Sequence, residues 1–147
     1  EQWDPDAASG MAVFTTILRS YQLLNDQVNE VMRGHDLTFA RYEVLVLLSF
    51  SRSGSLPLSK VGERLMVHPT SVTNLVDRLD AQGLVERTVD DADRRRVLAS
   101  LTPEGRRVMK RATAALTDIE FAVGSLDPAD QQKAYELLRA LRSSDFG

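Results

Sequence analysis

The hydrophobic pattern of this chain is organised by one amphipathic helix that stops at a glycine and runs straight into a strand. Val72, Leu75, Val76 and Leu79 recur at i, i+3, i+4 and i+7 and make one inward stripe. Thr70, Thr73, Asn74, Asp77 and Arg78 fall on the opposite face. Pro69 suits the first turn, where the amide hydrogen it lacks would have no partner. Gly83 is the natural residue for a left-handed helix end. A helix is therefore predicted over 69–82, with an outer face of Thr, Asn and Arg.

Upstream, residues 1–10 read as an irregular or short helical lead-in containing Trp3, Pro5 and Gly10. Residues 11–33 follow as a long helix with Phe14, Ile17, Leu18, Tyr21, Leu24, Val28, Val31 and Met32 on one face. Gly34 stops it. Thr38 is placed to cap a second helix over 39–49, with Tyr42, Leu45, Val46 and Phe50 turned inward. Gly54, Ser55 and Pro57 mark a break, and Ser59 is the expected cap of a short helix over 60–66. Downstream of Gly83, residues 84–89 and 96–101 are apolar and β-branched runs on either side of Asp90-Asp91-Ala92-Asp93-Arg94-Arg95, which makes a β-hairpin. Thr102 and Pro103 begin another helix, with Val108, Ala112, Ala115, Leu116 and Ile119 along one side. Gly124-Ser125 interrupts it, and Asp127-Pro128 restarts a last helix through Ala134, Leu137, Leu138 and Leu141.

Composition narrows the class. With 147 residues, 43% hydrophobic and 27% charged, the chain fits one soluble domain with a real core. It has no cysteine, which excludes disulfides, thiolate metal sites and thiol redox sensing. His35 and His68 are too few for a histidine-rich metal centre, so no metal and no cofactor are expected. No apolar run approaches the roughly 20 residues that span a bilayer, and the first residues given carry no basic-then-apolar signal pattern. A cytoplasmic protein without a membrane partner is the expectation.

The net charge of −3 argues at first against nucleic acid, but its distribution argues the other way. Residues 1–51 carry 3 basic and 7 acidic side chains, and residues 112–147 carry 3 and 6. Residues 52–111 carry 12 basic and 8 acidic side chains. A basic middle between acidic ends is the footprint of a localised phosphate-binding surface.

The two short helices separated by Val67 and His68 have helix-turn-helix spacing, in which the second helix enters the major groove. A hairpin directly after them makes a winged helix. The fold class is therefore mainly α (α+β): a winged helix-turn-helix over 37–102 with a two-stranded wing, flanked by helices at 11–33 and 103–147. Thr70, Ser71, Thr73 and Asn74 are the candidate major-groove readers, Asn74 by the amide geometry that matches adenine. Arg78 and Arg87, with Lys60 and Arg52, are candidates for phosphate. Arg94 and Arg95 at the wing tip suit a narrow minor groove, and Asp93 can orient one of them. For each of these the plainer alternative is a solvated polar face. The flanking helices exceed what DNA docking needs, and their apolar stripes predict a second copy of the chain as partner. That arrangement sets two recognition helices about one DNA turn apart, roughly 34–36 Å.

These residues resemble the MarR-type transcriptional regulators from about Val13 to Leu141, most strongly from Leu58 to Gly105. Asp77-Arg78-Leu79-Asp80-Ala81-Gln82-Gly83-Leu84-Val85-Glu86-Arg87 resembles the family's D-R-L-E-x-x-G-L-V-x-R. Asp90 to Arg95 resembles its wing, D-P-x-D-R-R, with Asp91 where proline is usual, and Leu101-Thr102-Pro103-Glu104-Gly105 matches L-T-x-x-G. The resemblance implies a homodimeric, ligand-responsive repressor on a pseudo-palindromic operator. It also implies a small effector, often an aromatic or phenolic acid, between the dimerisation helices and the DNA-binding lobe. Arg19, His35, Arg41 and Tyr42 are the polar residues it brings near such a pocket. The peroxide-sensing branch needs a cysteine that is absent. The urate-responsive branch shares an early tryptophan, Trp3, but carries aspartate and arginine where this chain has Glu43 and Phe50.

Two other readings remain open from sequence. A non-specific architectural DNA binder would bind any duplex equally, and a winged helix used for protein contacts would show no salt-dependent DNA affinity. An enzyme is disfavoured, because no His, Asp and Ser constellation or Gly-rich phosphate loop is present.

Overall fold

A computed structural model describes residues 3–143; positions 1–2 of the lead-in and 144–147 of the last expected segment lie outside the described residues. Helix α1 runs Pro5–Arg33 and α2 Phe39–Phe50, followed by strand β1 at Ser55–Pro57. Helices α3 (Leu58–Leu65) and α4 (Pro69–Ala81) come next, then strands β2 (Val85–Val89) and β3 (Val97–Leu101). Helix α5 spans Pro103–Asp118, a short 3-10 turn covers Glu120–Ala122, and α6 spans Pro128–Ser143. Among the described residues no helix is long and apolar enough to cross a membrane.

Local chemistry explains most boundaries. Helix α1 begins earlier than its apolar period, because Asp4 caps it, accepting from the Asp6 amide at 2.9 Å, and Pro5 occupies the first position. Thr38 caps α2 through the Arg41 amide at 3.2 Å, and Thr102 caps α5 through Gly105 at 2.9 Å. The expected cap at Ser59 is not used. Helix α3 starts one residue before it, at Leu58, with Pro57 at the cap position and no side-chain cap bond. Pro57 is fixed in extended backbone and already hydrogen-bonded into a sheet, so the chain turns helical immediately after it.

The two-stranded wing expected from sequence is present as β2 and β3, and β1 adds a third strand on the far side of β3. The sheet has three antiparallel strands in the order β1-β3-β2, with Leu56 opposite Ala99 and Arg87 opposite Ala99 from the other side. Strand β1 is only 3 residues long, too short for an alternating pattern to register. It is held by the Ser55 and Ser100 hydroxyls at 2.6 Å and by the Leu101 amide donating to Gly54 O at 2.8 Å.

The core is built by α2, α3, α4, β2, β3 and α5 around Leu45, Leu48, Val61, Val72, Val76, Leu79, Val85, Ala99, Ala112 and Leu116. Helix α1 joins it only by its last turns, through Val28 and Met32. Asn29 extends that junction by accepting from the Phe39 amide at 2.9 Å. Phe50, expected inward, is 82% exposed: it closes α2 on the side away from the core.

The two ends of the chain are open. From Trp3 to Leu23 every residue except Thr15 is exposed, including Met11, Val13, Phe14, Ile17, Leu18 and Tyr21. Helix α6 buries no residue, and its Leu137, Leu138 and Leu141 border an apolar groove with Val13 and Ile17 of α1.

Candidate nucleic-acid interface

Helix α4 divides cleanly into two faces. Val72, Val76 and Leu79 are buried, whereas Thr70, Ser71, Thr73, Asn74 and Arg78 are all exposed. Its start is fixed twice: Pro69 takes the first position, and the His68 ring Nδ1 accepts from the Thr70 amide at 3.2 Å. This cap escaped the sequence reading, since histidine is not among the usual capping residues. The cap makes Nδ1 an acceptor, so the neutral ring carries its hydrogen on Nε2, facing away from the helix. Thr73 donates to Pro69 O at 3.1 Å. The side chains of Thr70, Ser71 and Asn74 make no hydrogen bond among the described residues, which leaves their donors and acceptors available.

The packing of α3 on α4 sets the angle of this face. A methyl group at Gly62, within α3, would stand 3.0 Å from Val67 O and 3.1 Å from Val72 Cγ2, so the two helices pack closely enough that a neighbour would have to give by a few tenths of an ångström. Met66, in the left-handed region at φ 56°, ends α3 and turns the chain towards α4.

The far end of α4 is tied to the wing by residues that the sequence pattern presents as one run. Asp77 on α4 pairs with Arg87 on β2. Gly83 has φ +74° and carries the chain from helix to strand. Thr102 then donates to Gly83 O at 2.7 Å while accepting from Gly105 N. A side chain at Gly105 would collide with the Leu84 carbonyl. The spacing Leu101-Thr102-x-x-Gly105 therefore has a mechanical meaning: it locks α5 against the turn that launches the hairpin. Arg87, a phosphate candidate from sequence, is engaged by Asp77.

The wing tip sorts its three arginines. Asp93 accepts from the Arg95 amide at 3.1 Å and from Arg95 Nε at 3.2 Å, and these bonds hold its carboxyl below the usual range. Arg96 lies 3.7 Å from Asp90 and closes the loop through backbone bonds at 2.9 Å. Arg94 is exposed and, among the described residues, pairs with no carboxylate. Lys60 pairs with Glu63 at 3.1 Å on the surface of α3, and Arg52 is exposed in the turn before β1.

The four residues considered for an effector pocket occupy different settings. Arg19 is exposed on α1 and donates to Gln22 at 3.3 Å. His35 sits half-buried in the turn after α1. Tyr42 is buried on α2, stacked at a tilt on Phe39, with its hydroxyl 2.7 Å from Thr113 Oγ1. Thr113 spends its only hydrogen on Met109 O, so Tyr42 is the donor in that pair. Arg41 reaches the Asp36 carbonyl at 3.2 Å and Gln82 Oε1 at 2.8 Å, which joins the start of α2 to the end of α4.

Comparison with known proteins places this geometry. A family model described as the MarR family matches residues 35–96. The solved structure of Sco5413 from Streptomyces coelicolor, a MarR family transcriptional regulator, is 47% identical, with a TM-score of 0.87 over 93% of this chain and 95% of that one. The chain belongs to the MarR family, whose members are transcriptional regulators and not enzymes. Two further members are similar. The repressor MdtR of Bacillus subtilis is 38% identical over 58% of this chain and 54% of its own length. The structure of BpsR from Bordetella bronchiseptica, described with 6-hydroxynicotinic acid as regulator of its DNA binding, is 29% identical. Its TM-score is 0.80 over 88% of this chain and 92% of that one. This MarR-family chain spans about half the length of MdtR, and less than two thirds of a second B. subtilis regulator at 64%.

Proposed function

We propose that this chain binds duplex DNA sequence-specifically as a homodimer, reading a pseudo-palindromic operator and acting as a ligand-responsive repressor. The observation that carries the reading is α4, whose Val72, Val76 and Leu79 are buried while its outer face presents Thr70, Ser71 and Asn74 without side-chain partners among the described residues. In this reading those residues and Thr73 enter the major groove, with Asn74 on an adenine edge. Arg78, Lys60 and Arg52 bind phosphate, Arg87 steadies the strand behind them, and Arg94 and Arg95 reach the flanking minor groove, the latter aligned by Asp93.

The apolar faces of α1 and α6 support the dimer. An exposed row of large apolar side chains this long is unfavourable in water and is relieved by a second copy. An effector of the aromatic-acid class, as in BpsR, would act by shifting the distance between the two α4 helices away from successive grooves. Arg19, His35 and Tyr42 sit on the elements whose relative position that shift changes.

Selection of bound sites from a random oligonucleotide pool tests this directly. The expected outcome is a palindrome with half-sites centred about one helical turn apart. Equal recovery of all sequences would replace the reading by non-specific architectural binding, and no salt-dependent binding of any duplex would remove DNA from it altogether.

A further inference from the structure

A groove lies where the N-terminus of α2 meets the outer face of α4. It is lined by Thr38, Ala40 and Arg41 on one wall and by Ser71, Asn74 and Arg78 on the other. Resemblance alone puts Arg41 near an effector pocket; its position in the fold also puts it beside the outer face of α4. Gln82, one turn beyond Arg78 on α4, accepts from Arg41 Nη1 and donates to the Asp36 carbonyl at 2.7 Å, so it holds the Arg41 head in place. The other guanidinium N–H groups of Arg41 carry no hydrogen bond among the described residues.

Two guanidinium groups thus flank one groove, and among the described residues neither is ion-paired to a carboxylate. Burial, and then the positive charge of Arg78, hold Arg41 below its ordinary pKa; the carboxylate of Asp36 opposes them. Like charges that line one groove repel, and an anion between them relieves the repulsion. Geometry selects the anion. Asn74 and Arg78 are one turn apart, about 6 Å along the helix. With Asn74 at a base edge, Arg78 and Arg41 come to the wall of the major groove, where the sugar-phosphate backbone runs.

We propose that Arg41 and Arg78 together clamp one backbone phosphate of the strand bordering the groove that α4 enters, with Gln82 pre-positioning Arg41. This rests on the DNA-binding reading above. It makes Arg41 a register-setting contact supplied by a helix outside the helix-turn-helix pair.

The test uses the full chain and a random-sequence duplex of about 30 base pairs, followed by fluorescence anisotropy across a salt series. Arg41→Gln is expected to flatten the slope of log affinity against log salt by about 0.9, so that affinity falls about threefold less between 50 and 200 mM salt. Arg41→Lys, which keeps the charge, should restore most of that slope. An unchanged slope in Arg41→Gln, or an equal loss in Arg41→Lys, would overturn the clamp. So would a rise in wild-type melting temperature with millimolar inorganic phosphate that Arg41→Gln abolishes without any change in DNA slope, since the groove would then serve a free oxyanion. A wild-type chain with no salt-dependent DNA affinity would instead sink the underlying DNA-binding reading.

Discussion

Helices α4 and α1 are both amphipathic, and the chain treats them in opposite ways. The apolar stripe of α4 is closed off within its own subunit, with Val72, Val76 and Leu79 at 1% exposure or less. The stripe of α1 is anchored at its end, by Val28, Val31 and Met32, and its first two thirds display Phe14 at 65% and Tyr21 at 62% exposure. Periodicity reports that a helix has an apolar side; it does not report whose surface that side meets. In α4 the polar side is the one left to do work, and in α1 it is the apolar side.

The largest effect expected on this contrast comes from truncating the closed stripe. Leu79→Ala should lower unfolding free energy by about 2–5 kcal/mol in urea titration, the range for a buried leucine. Leu18→Asp on the open stripe should leave the secondary structure of the lobe intact, yet move the sedimenting species from the proposed dimer towards monomer at micromolar concentration. A dimeric Leu18→Asp would show that α1 is not the surface that meets a second copy.

Next in size is the junction between α5 and the wing. Gly105→Ala should destabilise by about 1–3 kcal/mol, the usual penalty of overpacking a tight site, because its methyl group meets the Leu84 carbonyl. Wild-type stability in that variant would mean that the Thr102 lock on Gly83 is slack.

The outer face of α4 and the wing should then separate by type of effect. Asn74→Ala should cost about 1–3 kcal/mol at one base pair of a selected site and little on random duplex. Arg94→Ala should weaken both alike and lower the salt slope by about 1. The assignment of reading to α4 and of charge to the wing is lost if Asn74→Ala proves indifferent to sequence.

The smallest effect concerns Glu43, on α2. Desolvation of its carboxyl raises it above the ordinary value of 4.5, even though the residue as a whole is exposed, so the effect on stability is small. A folded-state value above the unfolded one means stability that is full below about 4.5 and is lost as pH rises through the raised value. Glu43→Gln should therefore gain stability relative to wild type as pH goes from 4 to 7. Equal urea midpoint differences at both pH values would show that the carboxylate is fully solvated when charged.

Much of the site is legible in the chain because its signals are local. Pro69, Gly83, Pro103 and the Thr102 cap act within one turn of themselves, and each stands where the spacing puts it. The His68 cap was missed because histidine rarely plays that part, and β1 because three residues carry no period. The partners of Arg87 and Arg41 are not legible in the chain for a different reason. A guanidinium advertises charge in the sequence, but what it pairs with depends on residues far along the chain: Asp77 ten positions away, and Gln82 forty-one.

The amino-acid sequence by itself determined the order of elements, the inner stripe of α4, the hairpin with its arginines and the basic middle of the chain, because each follows from spacing over a few residues. Only the tertiary structure decided which arginines are engaged, that β1 widens the wing to three strands, and that Arg41 and Arg78 share one groove. These depend on which surfaces the core brings together, and that is set by packing between segments whose separation along the chain carries no period.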